Sequence, residues 1–155
     1  MEERLNTYFQ GPNSQGEEIQ IVAFKLGEEE YAVDILNVQE IIRLLNITRV
    51  PKANNYIEGV INLRGNIIPI INLHKKFNLK SLNKEESKRI IVFQFEDVKV
   101  GIIVDEVSEV LRLSQNDIEE TSKVYSSIDT QGVKGIAKVN NRLLTILNLS
   151  EILIL

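Results

Sequence analysis

The stretch Gly59-Val-Ile-Asn-Leu-Arg-Gly-Asn-Ile-Ile-Pro-Ile-Ile-Asn-Leu73 decides the fold class. Two apolar runs flank Arg64-Gly65-Asn66, and Gly65 can adopt positive φ, which together form a β-hairpin signal. Pro69 lacks an N–H, so the second run is expected at a sheet edge or beside a bulge. The pattern returns 76 residues later as Gly135-Ile-Ala-Lys-Val-Asn-Asn-Arg-Leu-Leu-Thr-Ile-Leu-Asn-Leu149. Upstream, Val38-Gln-Glu-Ile-Ile-Arg-Leu44 is matched by Val107-Ser-Glu-Val-Leu-Arg-Leu113, four identities in seven at an offset of 69. The period of Val38–Leu44 leaves strand and helical turn both open. Further upstream, the β-rich run Ile19–Leu26, an acidic turn and Tyr31–Ile35 are echoed by Ile90–Phe95, a turn at Glu96–Lys99 and Val100–Val104. The chain is an internal duplication, with a longer loop around 114–130 absorbing the change of offset.

Composition agrees with a strand-rich reading. Of 155 residues, 22 are Ile, 17 Leu and 14 Val, against four Ala, and branched side chains suit a pleated, half-buried surface. There is no Cys, which excludes disulfides, thiolate nucleophiles and cysteine-held metals. One histidine, His74, is too little imidazole for a multi-histidine metal centre. A net charge of −4 argues against a nucleic-acid binder, which works by neutralising phosphates. No apolar stretch approaches the roughly 20 residues that span a bilayer, and the start lacks the features of a secretory signal. A soluble, cytoplasmic protein is expected.

Residues 1–18 read as a loose N-terminal arm, since Gly11, Pro12, Asn13, Ser14 and Gly16 cluster there. Residues 19–155 form one domain of two pseudo-duplicated subdomains, roughly 19–80 and 88–155, between which strands could be exchanged. A copy of about 60 residues is too small for a sandwich of its own. Each is expected to close as a five-stranded SH3-like barrel, with few short helices overall, because closure removes exposed edges. Barrels so small have little core, so a shared hydrophobic seam is expected, with Ile152–Leu155 docked against it.

Duplication also supplies an internal control, because a residue the fold requires should recur in both copies. Gly59 recurs as Gly135, which suggests a backbone requirement. Glu40 recurs as Glu109 and Arg43 as Arg112, pointing to local pairing or a repeated turn. Arg64 stands where the other copy has Asn140, so the turn does not need a guanidinium, and a hairpin tip is well placed to reach a partner. Leu45 is apolar where its counterpart is polar. The acidic clusters Glu28–Glu30, Asp105-Glu106 and Glu119-Glu120 lie near turns without calcium-loop spacing, so solvated charge is expected. His74 lacks any nucleophile elbow and reads as structural. No phosphate-binding glycine loop occurs, and nothing supports an enzyme.

The segments Phe24–Arg43, Gly59–Leu73 and Val100–Leu111 closely resemble the bacterial chemotaxis coupling protein family CheW, and the resemblance runs from about Ile19 to Leu153. It implies two SH3-like barrels across a hydrophobic seam. It also implies a non-catalytic adaptor, without cofactor or metal, linking the cytoplasmic tips of methyl-accepting chemoreceptors to the regulatory domain of the histidine kinase CheA. Such a protein would be recruited to receptor clusters at the inner face of the cell membrane without inserting into it. By position, Val38, Glu40, Ile41, Gly59 and Arg64 would fall in the receptor-facing region. For the kinase side the candidate is Leu45, on the ground that it is apolar where its counterpart in the other copy is polar. Asn72 and His74 depart from the family's frequent Asp and Arg. The alternative on the same fold is a regulatory domain from a larger kinase or from a receiver-fused coupling protein; a start at Met1 with only the two copies favours a stand-alone adaptor.

Overall fold

A computed structural model describes residues 18–82, 85–120 and 132–152. The expected arm therefore lies outside the described residues except for Glu18, which opens the first strand. The last three positions of the C-terminal run are also outside. Among the described residues eleven strands follow in order: β1 (Glu18–Leu26), β2 (Glu29–Asp34), β3 (Val38–Arg43), β4 (Ile57–Leu63), β5 (Asn66–Ile71), β6 (Arg89–Phe95), β7 (Val98–Val104), β8 (Glu106–Ser114), β9 (Ile118–Glu120), β10 (Val133–Val139) and β11 (Arg142–Leu147). Helices are short, α1 at Leu73–Phe77 and α2 at Leu149–Ile152. Asn72 caps α1 by accepting the Lys75 N–H at 3.1 Å, and Asn78 ends it in the left-handed region.

The strands form two sheets that cut across the halves of the sequence. Sheet I has six strands in the order β8-β1-β2-β11-β10-β9, and sheet II has five, β3-β6-β7-β5-β4. The hairpin β1–β2 from the first half thus joins the second-half strands, while β6–β7 from the second half joins β3–β5. A physical reason is visible in burial. β1 and β6 each contain a continuous apolar run, residues 21–24 and 90–93, and such runs need cover on both faces. Ile21 and Ala23 of β1 face the interior of sheet I, while Val22, Phe24 and Leu26 face the other way. In β6, Ile90 and Val92 enter the interior of sheet II, and Ile91 and Phe93 turn outward from it.

Those second faces meet in a seam, the largest of three apolar clusters, where the equivalent residues Phe24 and Phe93 are both fully buried. Each side chain buried this way contributes roughly 1.5–3 kcal/mol relative to exposure. Ile152, the one described residue of the run expected to dock, packs in the seam against Gly132.

Sheet II has the expected five strands and sheet I one more, but the expected closed barrels are not formed: among the described residues the two edge strands of neither sheet pair with each other. The chain itself joins the edges. After β3 it crosses to β4, where Thr48 and Val60 exchange backbone hydrogen bonds of 2.9 and 2.8 Å. After β8 it makes a 3-10 turn at Gln115–Asp117 and pairs with β10 as β9. The sixth strand is therefore the fuller version of a crossing that sheet II makes with a single bridge.

Bulges repeat with the same symmetry: Val38/Glu40 on β3 matches Val107/Glu109 on β8, and Ile57/Gly59 on β4 matches Val133/Gly135 on β10. Of the two expected settings for Pro69, the edge is not met, because β5 lies inside sheet II, and the bulge is: the Ile57/Gly59 bulge of β4 faces Ile71 and Ile70, next to the Val60–Pro69 pair. Pro69 is tolerated there since β5 pairs with β7 only at Ile70 and Ile71, just beyond the proline.

Candidate functional site

Val38–Arg43 resolves as strand, and its bulge sets where each side chain points. Val38 packs on the seam, Ile42 packs into the interior of sheet II, and Ile41 lies outward, 40% exposed. Glu40, on the far side of the bulge, accepts a hydrogen bond from Arg64 Nη2. Glu40 and Arg64, 24 residues apart, are thus brought together, and Glu40 does not pair with Arg43 as a local reading suggests.

Arg64 sits at the tip of the β4–β5 hairpin with a φ of 51°, followed by Gly65 at 87°. Positive φ at both central positions is the type I′ turn that matches strand twist, and Asn-Gly is its preferred pair. Asn62 Oδ1 steadies the tip by accepting the Gly65 N–H at 3.0 Å. The second copy has the same turn at Asn140 and Asn141, with φ of 48° and 65°. A branched-free but bulky Arg is a costly occupant of that conformation compared with Asn. Its side chain is 68% exposed.

Gly59 lies at the opposite end of β4, roughly 15 Å from the tip by strand rise. It is buried, with φ at 155°, and a Cβ there would stand 2.3 Å from the Thr48 carbonyl oxygen and 2.7 Å from Ile47 Cγ2. At Gly135 a Cβ would stand 2.5 Å from the Glu119 carbonyl oxygen and 2.6 Å from Ile118 Cγ2. The recurring glycine therefore leaves room for the crossing chain in both sheets. Leu45 is exposed on that crossing segment, one residue after Leu44, which packs inward.

Sheet I holds its own Glu–Arg contact. Arg142 Nη1 donates to Glu109 at 2.8 Å, while Nη2 and Nε donate to Glu30 at 2.6 and 3.2 Å. These hydrogen bonds raise the guanidinium's already high pKa further. Glu30 is thus engaged, not merely solvated.

Asp105 is a sharper correction to the expectation of solvated charge. It is 1% exposed and accepts from the Gly27 N–H at 2.6 Å and the Ser81 hydroxyl at 2.8 Å, with His74 Nε2 at 2.7 Å. Burial pushes its carboxyl up, but the His74 hydrogen bond, the Gly27 N–H and Ser81 outweigh that and hold it below its ordinary range. This node ties the β1–β2 turn, α1 and the linker to the start of β8. It is not a nucleophile triad, because Ser81 and His74 both address the carboxylate and not each other. The two departures from the family pattern are both used locally: His74 here, and Asn72 as the cap of α1 and a 3.0 Å donor to Glu58.

Among the described residues, no three His, Asp or Glu side chains gather to hold a metal, and no helix is long and apolar enough to cross a membrane. What remains is a strand-built scaffold with a shared seam and an exposed cation at one rim. Comparison with known proteins gives that class a family. The CheW-like domain model matches residues 20–154. Chemotaxis protein CheW of Helicobacter pylori is 41% identical over 137 residues, 88% of this chain and 82% of that protein. The Thermotoga maritima protein of the same name is 38% identical over 136 residues, 88% of each. The crystal structure of scaffolding protein TtCheW from Thermoanaerobacter tengcongensis superposes with a TM-score of 0.76 at 42% identity, covering 83% of this chain and 88% of that one. The chain belongs to the CheW-like family and is a chemotaxis scaffold.

Proposed function

We propose that this protein couples the cytoplasmic tips of methyl-accepting chemoreceptors to the regulatory domain of the histidine kinase CheA, using separate surfaces for each. Recruitment to receptor clusters at the inner face of the membrane follows from that role. The observation that carries the reading is Arg64: an exposed guanidinium held at a left-handed hairpin tip, where the other copy has the better-suited Asn140. Receptor contact would centre on Arg64, with Glu40 orienting it. Next to Val38 in sequence, Asn37 lines a groove of about 500 Å³ in which Phe95, Val98 and Val100 would offer apolar surface to a receptor helix and Gln94, Glu96 and Ser150 polar surface. Ile41 would contribute from the outer face, Gly59 through backbone shape alone, and Leu45 would belong to the kinase side. Signalling would work through unequal affinity for receptor states, since equal affinity shifts no equilibrium.

Arg64→Glu tests this. Receptor-tip capture in a pull-down should fall at least about tenfold, the effect of losing one charge-assisted bond and gaining repulsion. Circular dichroism and melting should stay close to the parent's, because the side chain is mostly in water. Unchanged capture by folded variant would remove Arg64 from the receptor surface. A second reading, a domain of a larger coupling protein, draws on 33% identity to chemotaxis protein CheV3 of Helicobacter pylori, of which the chain spans 47%. The surrounding reading frame separates the two.

A further inference from the structure

At the end of β4 remote from Arg64, the 49–55 loop and α1 enclose a pocket of about 350 Å³ whose walls include Arg49, Lys52, Lys75 and Glu58. Glu58 is the one carboxylate among these, and it is already engaged. It accepts from Asn72 at 3.0 Å and pairs with Lys75 at 3.4 Å. The Asn72 hydrogen bond, helped by the Lys75 and Arg49 charges against some burial, holds its carboxyl below the ordinary range. Arg49 and Lys52 are exposed, and among the described residues neither forms an ion pair. The pocket is therefore cationic on a chain whose net charge is −4.

Two further observations say that the fold does not ask for a cation at Lys52 or Lys75. Lys52 has a φ of 63° and follows Pro51 in a turn closed by the Ala53 N–H on the Val50 carbonyl at 3.4 Å, a position that favours glycine. In the second copy, Lys75 and Lys76 become Glu151 and Ile152, and Glu58 becomes Lys134. Around the cations the surface is of the kind that anchors partners. Val50 is 44% exposed and Tyr56 36%, with the Lys76 ammonium 4.5 Å from the centre of the Tyr56 ring. The loop is pre-organised: Asn54 accepts the Ile57 N–H at 2.9 Å on its carbonyl and the Tyr56 N–H at 3.1 Å on its side chain. The Tyr56 carbonyl in turn accepts the Asn72 N–H at 2.7 Å.

We propose that this pocket docks an acidic peptide segment of a protein partner, its carboxylates meeting Arg49, Lys52 and Lys75 and a neighbouring apolar side chain lying on Val50 and Tyr56. With the length of β4 between them, roughly 20 Å, this site and the Arg64 tip can be occupied independently, so it stands whether or not Arg64 meets a receptor.

The test is an NMR titration of the labelled full chain with the blocked peptide Glu-Leu-Glu-Glu-Leu-Gly, its Gln-for-Glu counterpart, and inorganic phosphate. Amide shifts confined to 49–58 and 75–76 are expected for the acidic peptide, weakening as salt is added. Lys52→Glu should weaken binding about tenfold or more. Lys52→Gly, which relieves the backbone while removing the charge, should weaken it less, and Arg64→Glu should leave it unchanged. The proposal is overturned by equal shifts from the Gln peptide, by phosphate matching the peptide at equal concentration, by shifts centred on the Arg64 tip, or by no shifts at low salt.

Discussion

Glu40 in sheet II and Glu109 in sheet I occupy the same place after the same bulge, and each meets an arginine from the hairpin opposite. Their surroundings differ. Arg142 lies at the start of β11, spans Glu109 and Glu30 with three hydrogen bonds, and is only 30% exposed. Arg64 lies two positions earlier in the repeat, at the turn itself, meets Glu40 alone and is 68% exposed. The first arginine clamps β2 and β8 onto β11; the second is displayed. One duplicated framework thus ties down an arginine in one copy and, two positions away in the repeat, leaves another largely in water in the other. A Glu–Arg pair does not reveal its use by its presence, only by how many partners it holds and how much of it remains in water.

That contrast can be broken in graded ways. The largest expected effect lies in what the two sheets share. Gly59→Ala should cost about 3 kcal/mol, and Gly135→Ala about 2 kcal/mol, since both drive a Cβ into a carbonyl of the crossing chain and only Gly59 adds a positive φ. Urea titration of both variants checks this, and equal or negligible costs would mean that the crossings are not tightly packed. Next comes the clamp. Arg142→Met should destabilise by about 1 kcal/mol after allowance for screening, and Arg64→Met by well under half of that. Thermal melts at low and high salt should show the gap between the two variants narrowing as salt rises. The smallest effect has the opposite sign. Arg64→Asn creates the preferred Asn-Gly turn and should raise stability by about 0.5 kcal/mol while weakening receptor capture. A variant both less stable and fully competent would contradict the reading of Arg64 as a displayed residue.

Much of this architecture was legible in the residues. The hairpin at Gly59–Leu73, its echo at Gly135–Leu149 and the excess of Ile and Val pointed to paired β-subdomains with a seam, and the Arg64/Asn140 mismatch marked the tip. The exchange of hairpins could be allowed for but not read, because β1–β2 and β6–β7 follow the same pattern and either would satisfy either sheet. The recurrence of Gly59 was visible, whereas its cause was not: Thr48 meets it only once the chain has crossed the sheet. Asp105 was misread as solvated because it sits next to Glu106 at a turn. Its partners come from 31 and 78 residues away in sequence for His74 and Gly27, and no local spacing announces them. Likewise Glu40 and Arg43 share a strand and recur together, which suggested local pairing, but the bulge at Gln39 goes with a Glu40 contact across to the other edge of the sheet.

The central claim is that this molecule acts by presenting distinct faces to two proteins simultaneously. Labelled protein titrated with the kinase regulatory domain and, in parallel, with a receptor-tip peptide tests it most directly, followed by addition of the second ligand to the first complex. Two non-overlapping sets of shifted amides, one including Arg64 and Glu40, with a ternary complex forming at undiminished affinity, is the predicted result. Overlapping shifts with mutual displacement, or no shifts from either ligand, would contradict it.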